Sequence, residues 1–206
     1  MADRPTPDTG IITGDIVNSR QYSSSKWLVT LKEALNQYGR EPQQWEIYRG
    51  DSFQLEVPPK QALEAVLYLK ACIKQYKNLD ARLAIGIGTK NPGSIKITEA
   101  NGSAFVNSGE CFENLNKRTL AIRTPWQQLD EEINLYLQLA LLTIDRWGPT
   151  ASYVIKSAIL YPGLTQKELS KKIGKSQSSI SETLTRAGFE EIMLVEKRFR
   201  KLITNR

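Results

Sequence analysis

Apolar positions recur along this chain with two different periods. Residues 10–17 (GIITGDIV) form a short, nearly continuous apolar run, the pattern of a buried strand with an aspartate near its end. Over residues 24–38 the spacing changes, and Trp27, Leu28, Leu31 and Leu35 fall on one helical stripe. Two strand-like segments, 45–49 and 52–57, flank Gly50-Asp51, a dipeptide favoured where a tight hairpin needs positive φ. Pro58-Pro59 stops the second. Residues 60–77 return to helical spacing through Leu63, Val66, Leu67 and Ile73, and residues 82–87 (RLAIGI) are a further strand. The order strand, helix, strand, strand, helix, strand predicts an α+β, ferredoxin-like domain: an antiparallel sheet with both helices on one face. Residues 1–9 read as a disordered leader and 90–103 as an exposed excursion. A helix over 104–115 and a last strand over 119–123 then complete a domain spanning 10–126.

The second part of the chain is predicted to be all α. Residues 129–147 form a long helix with one apolar stripe through Leu129, Ile133, Tyr136, Leu137, Ala140, Ile144 and Trp147, and part of another through Leu135, Leu139 and Leu142. Two apolar faces need two partners. Either residues 127–148 are a connector whose second face meets another copy of the chain, or the helix is buried in one compact core. Gly148-Pro149 breaks it, and Thr150 is placed to cap the next helix, which carries Ala151, Val154, Ile155, Ala158 and Ile159 at helical spacing.

Residues 164–188 have the pattern of a helix-turn-helix, within a DNA-binding domain over 149–206. Thr165 with Glu168 three residues on is a capping box, and Leu169 and Ile173 share a face. Gly174 allows a left-handed exit, and Ser176 can cap a second helix after a turn of about three residues. In that helix Ile180, Leu184 and Ala187 face inward, leaving Gln177, Ser178, Ser179, Ser181, Glu182, Thr185 and Arg186 outside. Such a face suits a major groove, and with Thr165, Gln166, Lys175 and Ser176 it makes the predicted contact set for double-stranded DNA. A small helical protein-interaction domain has the same pattern. Beyond Gly188, Phe189, Ile192, Met193, Glu196, Phe199 and Ile203 fit a helix better than a β-wing.

Charge adds weight to the carboxy-terminal end. The 206 residues carry a net charge of +6, and residues 163–206 hold 10 basic and 5 acidic side chains, against 16 and 14 over 1–130. The excess sits where phosphates would be met. The chain has no histidine, which excludes serine–histidine and cysteine–histidine hydrolysis within it. Cys72 and Cys111 lie in no metal-ligand spacing and are expected as reduced thiols. With no apolar run long enough to span a bilayer, and no apolar core in the opening residues, a cytoplasmic protein without membrane contact is expected.

In the predicted sheet, the ends of the first strand and of the hairpin are neighbours, bringing Asp15 and Asp51 together. Two carboxylates there, with a backbone carbonyl such as that of Ile16, suit magnesium or manganese. The alternative is that Asp15 is a loop residue and Asp51 only the residue a hairpin favours.

These residues also carry a resemblance. Gly14-Asp15-Ile16-Val17, Gly50-Asp51-Ser52-Phe53, the strand 82–88 and the segment 102–115 follow in the order of the class III nucleotidyl cyclase domain. With the carboxy-terminal helix-turn-helix, the whole chain resembles the SatD family of bacterial proteins. The resemblance implies a cyclase-like core with Asp15 and Asp51 at the metal positions, fused to a DNA-binding module. Asn107 matches a position that binds the nucleotide in cyclases, but Cys111 stands where an arginine would stabilise the triphosphate. Tyr48-Arg49 stands where a base-reading lysine would be. The departures favour a domain that binds a nucleotide or other ligand, or keeps only the fold. The expected function is a dimeric DNA-binding transcriptional regulator; the alternative is a metal-dependent nucleotidyl cyclase or transferase.

Overall fold

In the computed structural model, which describes residues 8–21 and 23–206, strand β1 (Thr9–Val17) lies at the centre of a five-stranded sheet. β3 (Ser52–Val57) pairs with it antiparallel on one side and β4 (Asp80–Gly88) antiparallel on the other. β2 (Trp45–Tyr48) forms one edge beside β3, and β5 (Leu120–Arg123) the other edge beside β4, giving the order β2-β3-β1-β4-β5. The predicted leader lies outside the described residues over 1–7, but Thr9 already pairs with Gly88, so the strand takes the last residue of that segment.

The expectation of a wholly antiparallel sheet needs correction at β5, which runs parallel to β4 with Leu83 opposite Leu120. Parallel neighbours require a crossover, and α3 (Ser103–Glu113) provides it.

Alternation along β1 and β4 sends side chains to two unlike layers. Ile12, Ile16, Leu83, Ile85 and Ile87 join the main core with α1 (Ser24–Leu35) and α2 (Ala62–Ile73). Ile11, Thr13 and Ala84 face the α3 side, where small residues allow a close approach. Gly86 is required there: a Cβ on it would lie 2.2 Å from the backbone nitrogen of Ser108 and 2.3 Å from the carbonyl oxygen of Ala104. The hydroxyl of Thr13 donates to that of Ser108 at 3.0 Å in the same contact. The segment 90–103 is only partly the exposed excursion expected. Ile95 is 75% exposed, but Ile97 is fully buried against Ile11 and Ala104, and its N–H donates to the Pro42 carbonyl.

α2 departs from the amphipathic helix the sequence predicts, because all its residues but Glu64 are buried. Its outer side is covered by α5 (Pro149–Leu160) and approached by α8 (Phe189–Thr204). Lys70 on it and Lys74 at its C-cap are therefore enclosed and paired. Lys70 donates to Asp80 at 2.7 Å and to the Ala81 carbonyl at 3.1 Å; Lys74 donates to Asp80 at 3.1 Å and to the Asp145 carbonyl at 3.0 Å. Burial lowers the Lys70 pKa, and Asp80 opposes that shift. One apolar cluster consequently runs from Ile12 in the sheet to Phe199 in α8.

α4 (Gln127–Ile144) closes the β5 edge. Asn134 accepts from the Ile122 N–H at 2.9 Å and donates to the Ile122 carbonyl at 2.8 Å, taking the place of a missing strand neighbour. α5 begins one residue before the predicted cap: Gly148 is extended at the cap position and Pro149 occupies the first turn, so Thr150 lies inside the helix. α6 (Gln166–Ile173), α7 (Gln177–Arg186) and α8 follow, and residues 189–204 are helical as predicted. Among the described residues, no helix is long and apolar enough to cross a membrane.

Candidate functional site

Asp15 and Asp51 do line one cleft of about 520 Å³, at the end of β1 and the β2–β3 hairpin, together with Ser19, Arg20 and Arg82. The register explains it: Asp15 pairs with Ser52 on one side and Arg82 on the other. The hairpin turns through Arg49 and Gly50, both at positive φ, which leaves Asp51 as the last turn residue before β3.

The two carboxylates are engaged differently. Arg82 donates through Nε to Asp15 Oδ1 at 3.0 Å and through Nη2 to Oδ2, so both oxygens of Asp15 are held by one guanidinium. That hydrogen bonding raises the Arg82 pKa, and the guanidinium also lies 5.2 Å from the centre of the Phe112 ring. Asp51 Oδ2 accepts from the Ser19 hydroxyl at 2.6 Å, and the Asp51 carbonyl accepts from the Ile16 N–H. Magnesium or manganese would need several free oxygen donors. Here arginine already pairs with both oxygens of one carboxylate, and no group of three or more acidic, cysteine or histidine residues able to hold a metal occurs among the described residues. The arrangement does not fit a resident cation, and no chemistry is routed through one below.

Asn107 does not join this cleft. Its amide donates to the Ile87 carbonyl at 2.8 Å, near the opposite end of the β1–β4 pair. Cys111 points into a small cluster with Ala84, Leu115 and Ala121, and burial pushes its thiol up to about 12. Neither side chain is presented to Asp15 or Asp51.

Arg82 and Ser19 were not foreseen as part of the site. Period-two alternation on β4 puts Arg82 on the face opposite Leu83 and Ile85, which is the signal that could have found it.

The α6–α7 pair is built as its sequence specifies. The Glu168 N–H donates to the Thr165 hydroxyl at 3.3 Å, while the Thr165 N–H donates to Glu168 Oε2 at 2.8 Å, a complete capping box. The Thr165 N–H, and its hydroxyl donating to the same Oε2 at 2.8 Å, lower the Glu168 pKa. Gly174 is left-handed at φ 67, and the Ser176 hydroxyl accepts from the Ser179 N–H at 3.2 Å to start α7. Ile180, Leu184 and Ala187 are buried beneath. At the far end the buried Trp147 indole donates to the Ala187 carbonyl at 3.1 Å, fixing the end of α7 against the end of α4.

The structure leaves Thr165, Ser176, Gln177, Ser178, Glu182, Thr185 and Arg186 exposed; Gln166, Lys175, Ser179 and Ser181 are half-buried. Ser179 is committed through its N–H to the Ser176 cap, and Glu182 pairs with Arg186 at 2.5 Å. Lys172, on α6, sits 4.2 Å from the Tyr161 ring centre.

No family model matches the chain, and no curated protein matches it. Among solved structures, it is similar to the active GGEEF domain of a diguanylate cyclase from Vibrio cholerae, with 14% sequence identity, 58% of this chain and 84% of that chain covered, and a TM-score of 0.40.

Proposed function

We propose that the chain is a cytoplasmic DNA-binding regulator in which α6 and α7 form a helix-turn-helix and α7 enters the major groove of double-stranded DNA. The observation that carries this reading is the capped, sharply turned helix pair with a polar outer face. Ile180 and Leu184 hold α7 down, while Gln177, Ser178, Thr185 and Arg186 are exposed towards base edges and phosphates, Arg186 from its surface pair with Glu182. Lys171, Lys172 and Lys175 flank the turn, within a segment carrying twice as many basic as acidic side chains. Thr165 and Gln166, at the start of α6, complete the contact set. The strand order β2-β3-β1-β4, with neighbours antiparallel, supports a ferredoxin-like first unit and a relationship to SatD-type proteins.

The test is duplex binding as a function of salt. Affinity for DNA at low salt falls linearly on a logarithmic scale as salt rises, with a slope near −0.9 per phosphate neutralised. Lys175→Ala and Arg186→Ala each weaken binding and flatten that slope. Absence of duplex binding at low salt refutes the reading.

A second reading has one observation in its favour, the shared cleft of Asp15 and Asp51. In it the chain is a nucleotidyl-transfer enzyme acting on a nucleoside triphosphate, or the cleft takes a nucleotide as a regulatory ligand. The Arg82 pairing, the engaged amide of Asn107 and the inward thiol of Cys111 weigh against catalysis. Pyrophosphate release with magnesium or manganese, abolished by Asp51→Asn, would establish the enzyme.

A further inference from the structure

α4 buries one stripe and leaves the opposite one bare. Leu129, Ile133, Leu137, Leu141 and Ile144 are buried, whereas Leu135, Leu139 and Leu142 are 55%, 59% and 63% exposed. Between α4, α8 and the end of α7 lies a groove of about 460 Å³ in which Leu139, Ala140 and Ile192 share the lining with Thr185, Arg186 and Glu191. Exposed leucines at spacings of four and three residues on one helix face are the knobs of a helix–helix seam, and the groove beside them is a hole for such a knob.

The charges along the same face say which partner fits. Positions 131, 135, 138 and 142 lie along one line of the α4 surface, and Arg146 follows in the turn just past its end. That line begins with Glu131, which accepts from Gln127 at 2.8 Å, and leads to Arg146, which with Lys117, Arg118 and one acid, Asp145, surrounds a shallow cleft that also includes Leu142. The face is acidic at its start, apolar in the middle and basic at its end. Reversed end for end, it complements itself. Placed parallel to itself, it would set Glu131 against Glu131 and Arg146 against Arg146.

We propose that α4 pairs antiparallel with α4 of a second copy of this chain, about a two-fold axis passing between Gln138 and Leu139. In that register Leu135 of one copy meets Leu142 of the other, and Glu131 meets Arg146, each contact occurring twice as an isologous interface requires. Leu139 lies beside the axis and enters the α4–α8 groove of the facing copy. The pairing does not depend on DNA binding. Where both hold, the buried bond from Trp147 to Ala187 ties the end of each α7 to the paired helices, so the dimer fixes the separation of the two recognition helices.

The experiment is sedimentation or light scattering of the full chain without DNA, so a failure here leaves the DNA-binding reading untouched. The expected mass is two chains. Leu139→Glu gives one chain with an unchanged circular dichroism spectrum, because the side chain it replaces is exposed. Glu131→Arg and Arg146→Glu each weaken the dimer by at least tenfold, and the double variant recovers it, because the reversed charges meet again. The charge series stands alone should Leu139→Glu impair folding. A wild-type chain that stays monomeric at high micromolar concentration overturns the proposal. So does a dimer in which the single reversals have no effect or the double reversal fails to restore association.

Discussion

Arg82 and Asp15 face each other across the β1–β4 ladder, and the arginine holds both carboxylate oxygens at once. A cation arriving at Asp15 must displace a guanidinium that is already paired in a two-pronged geometry. Manganese titration of the wild-type chain should therefore show weak or no uptake. Arg82→Gln frees the carboxylate and should raise manganese affinity by about fivefold, or about 1 kcal/mol, the upper end for a part-exposed ion pair. Asp15→Asn in the same background should abolish the gain. Stoichiometric, tight uptake by the wild type that depends on Asp15 would show that the arginine yields to metal.

The caps of the α6–α7 pair separate stability from recognition. Thr165→Ala removes the acceptor for the Glu168 N–H, and Ser176→Ala the acceptor for the Ser179 N–H, each at an expected cost of about 1 kcal/mol. Gln177→Ala and Ser178→Ala remove exposed side chains and should leave urea denaturation unchanged within about 0.5 kcal/mol. If these two lower affinity for a preferred duplex while the caps alone change the midpoint, the face reads and the caps hold. A stability loss on Gln177→Ala equal to that of the caps contradicts this division.

The parts legible in the sequence are those in which one local rule decides the outcome. The capping box, the left-handed Gly174 and the Ser176 cap need only neighbouring residues, and all are present. The hairpin at Gly50 and the helix after Gly188 follow for the same reason. What stayed hidden depends on distant segments. α2 was read by one stripe, yet ALEAVLYLKACI has almost no polar side, and an all-round apolar helix is one covered from both sides. Its coverage by α5 and α8, and the burial of Lys70 beside Asp80, follow from that composition together with a tertiary arrangement that local spacing does not encode. The parallel pairing of β5 likewise depends on strand order, and so does the capture of Asp15: alternation gives the face of Arg82, but only the β1–β4 register sets it opposite Asp15. Asn107 had the right position in a motif but turns to the Ile87 carbonyl, a choice made by the packing of α3.

Gly86 tests how tightly that helix is seated. A methyl at this position meets backbone atoms of Ala104 and Ser108, which cannot swing aside as a flexible side chain could. Gly86→Ala should cost about 1–3 kcal/mol, the range for overpacking a closed contact, and should disturb Ser108, which bonds Thr13. Gly109→Ala, on the same helix but with nothing within 4 Å of its added Cβ, should be neutral or slightly stabilising. Denaturation of the two variants side by side is the measurement. Equal behaviour would mean that α3 shifts on the sheet at little cost.

Asp130 supplies a pH dependence of stability with a definite sign. Its Oδ2 accepts from the Thr124 N–H at 3.0 Å, while its buried Oδ1 has no hydrogen-bond partner. Burial raises its pKa, and the bonds from Thr124 and the charge of Arg123 only partly oppose that. A carboxyl with a raised folded pKa binds its proton more tightly in the folded chain than in the unfolded one. Its contribution is therefore fully present below the ordinary carboxylate pKa and is lost as pH rises through the raised folded value. Asp130→Asn keeps an oxygen for the Thr124 N–H and removes the ionisation. Relative to the wild type, the variant should gain stability as pH climbs from about 4 towards 7, as read from urea midpoints at several pH values. A difference between the two chains that stays constant across that range would show that ionising Asp130 carries no folding cost.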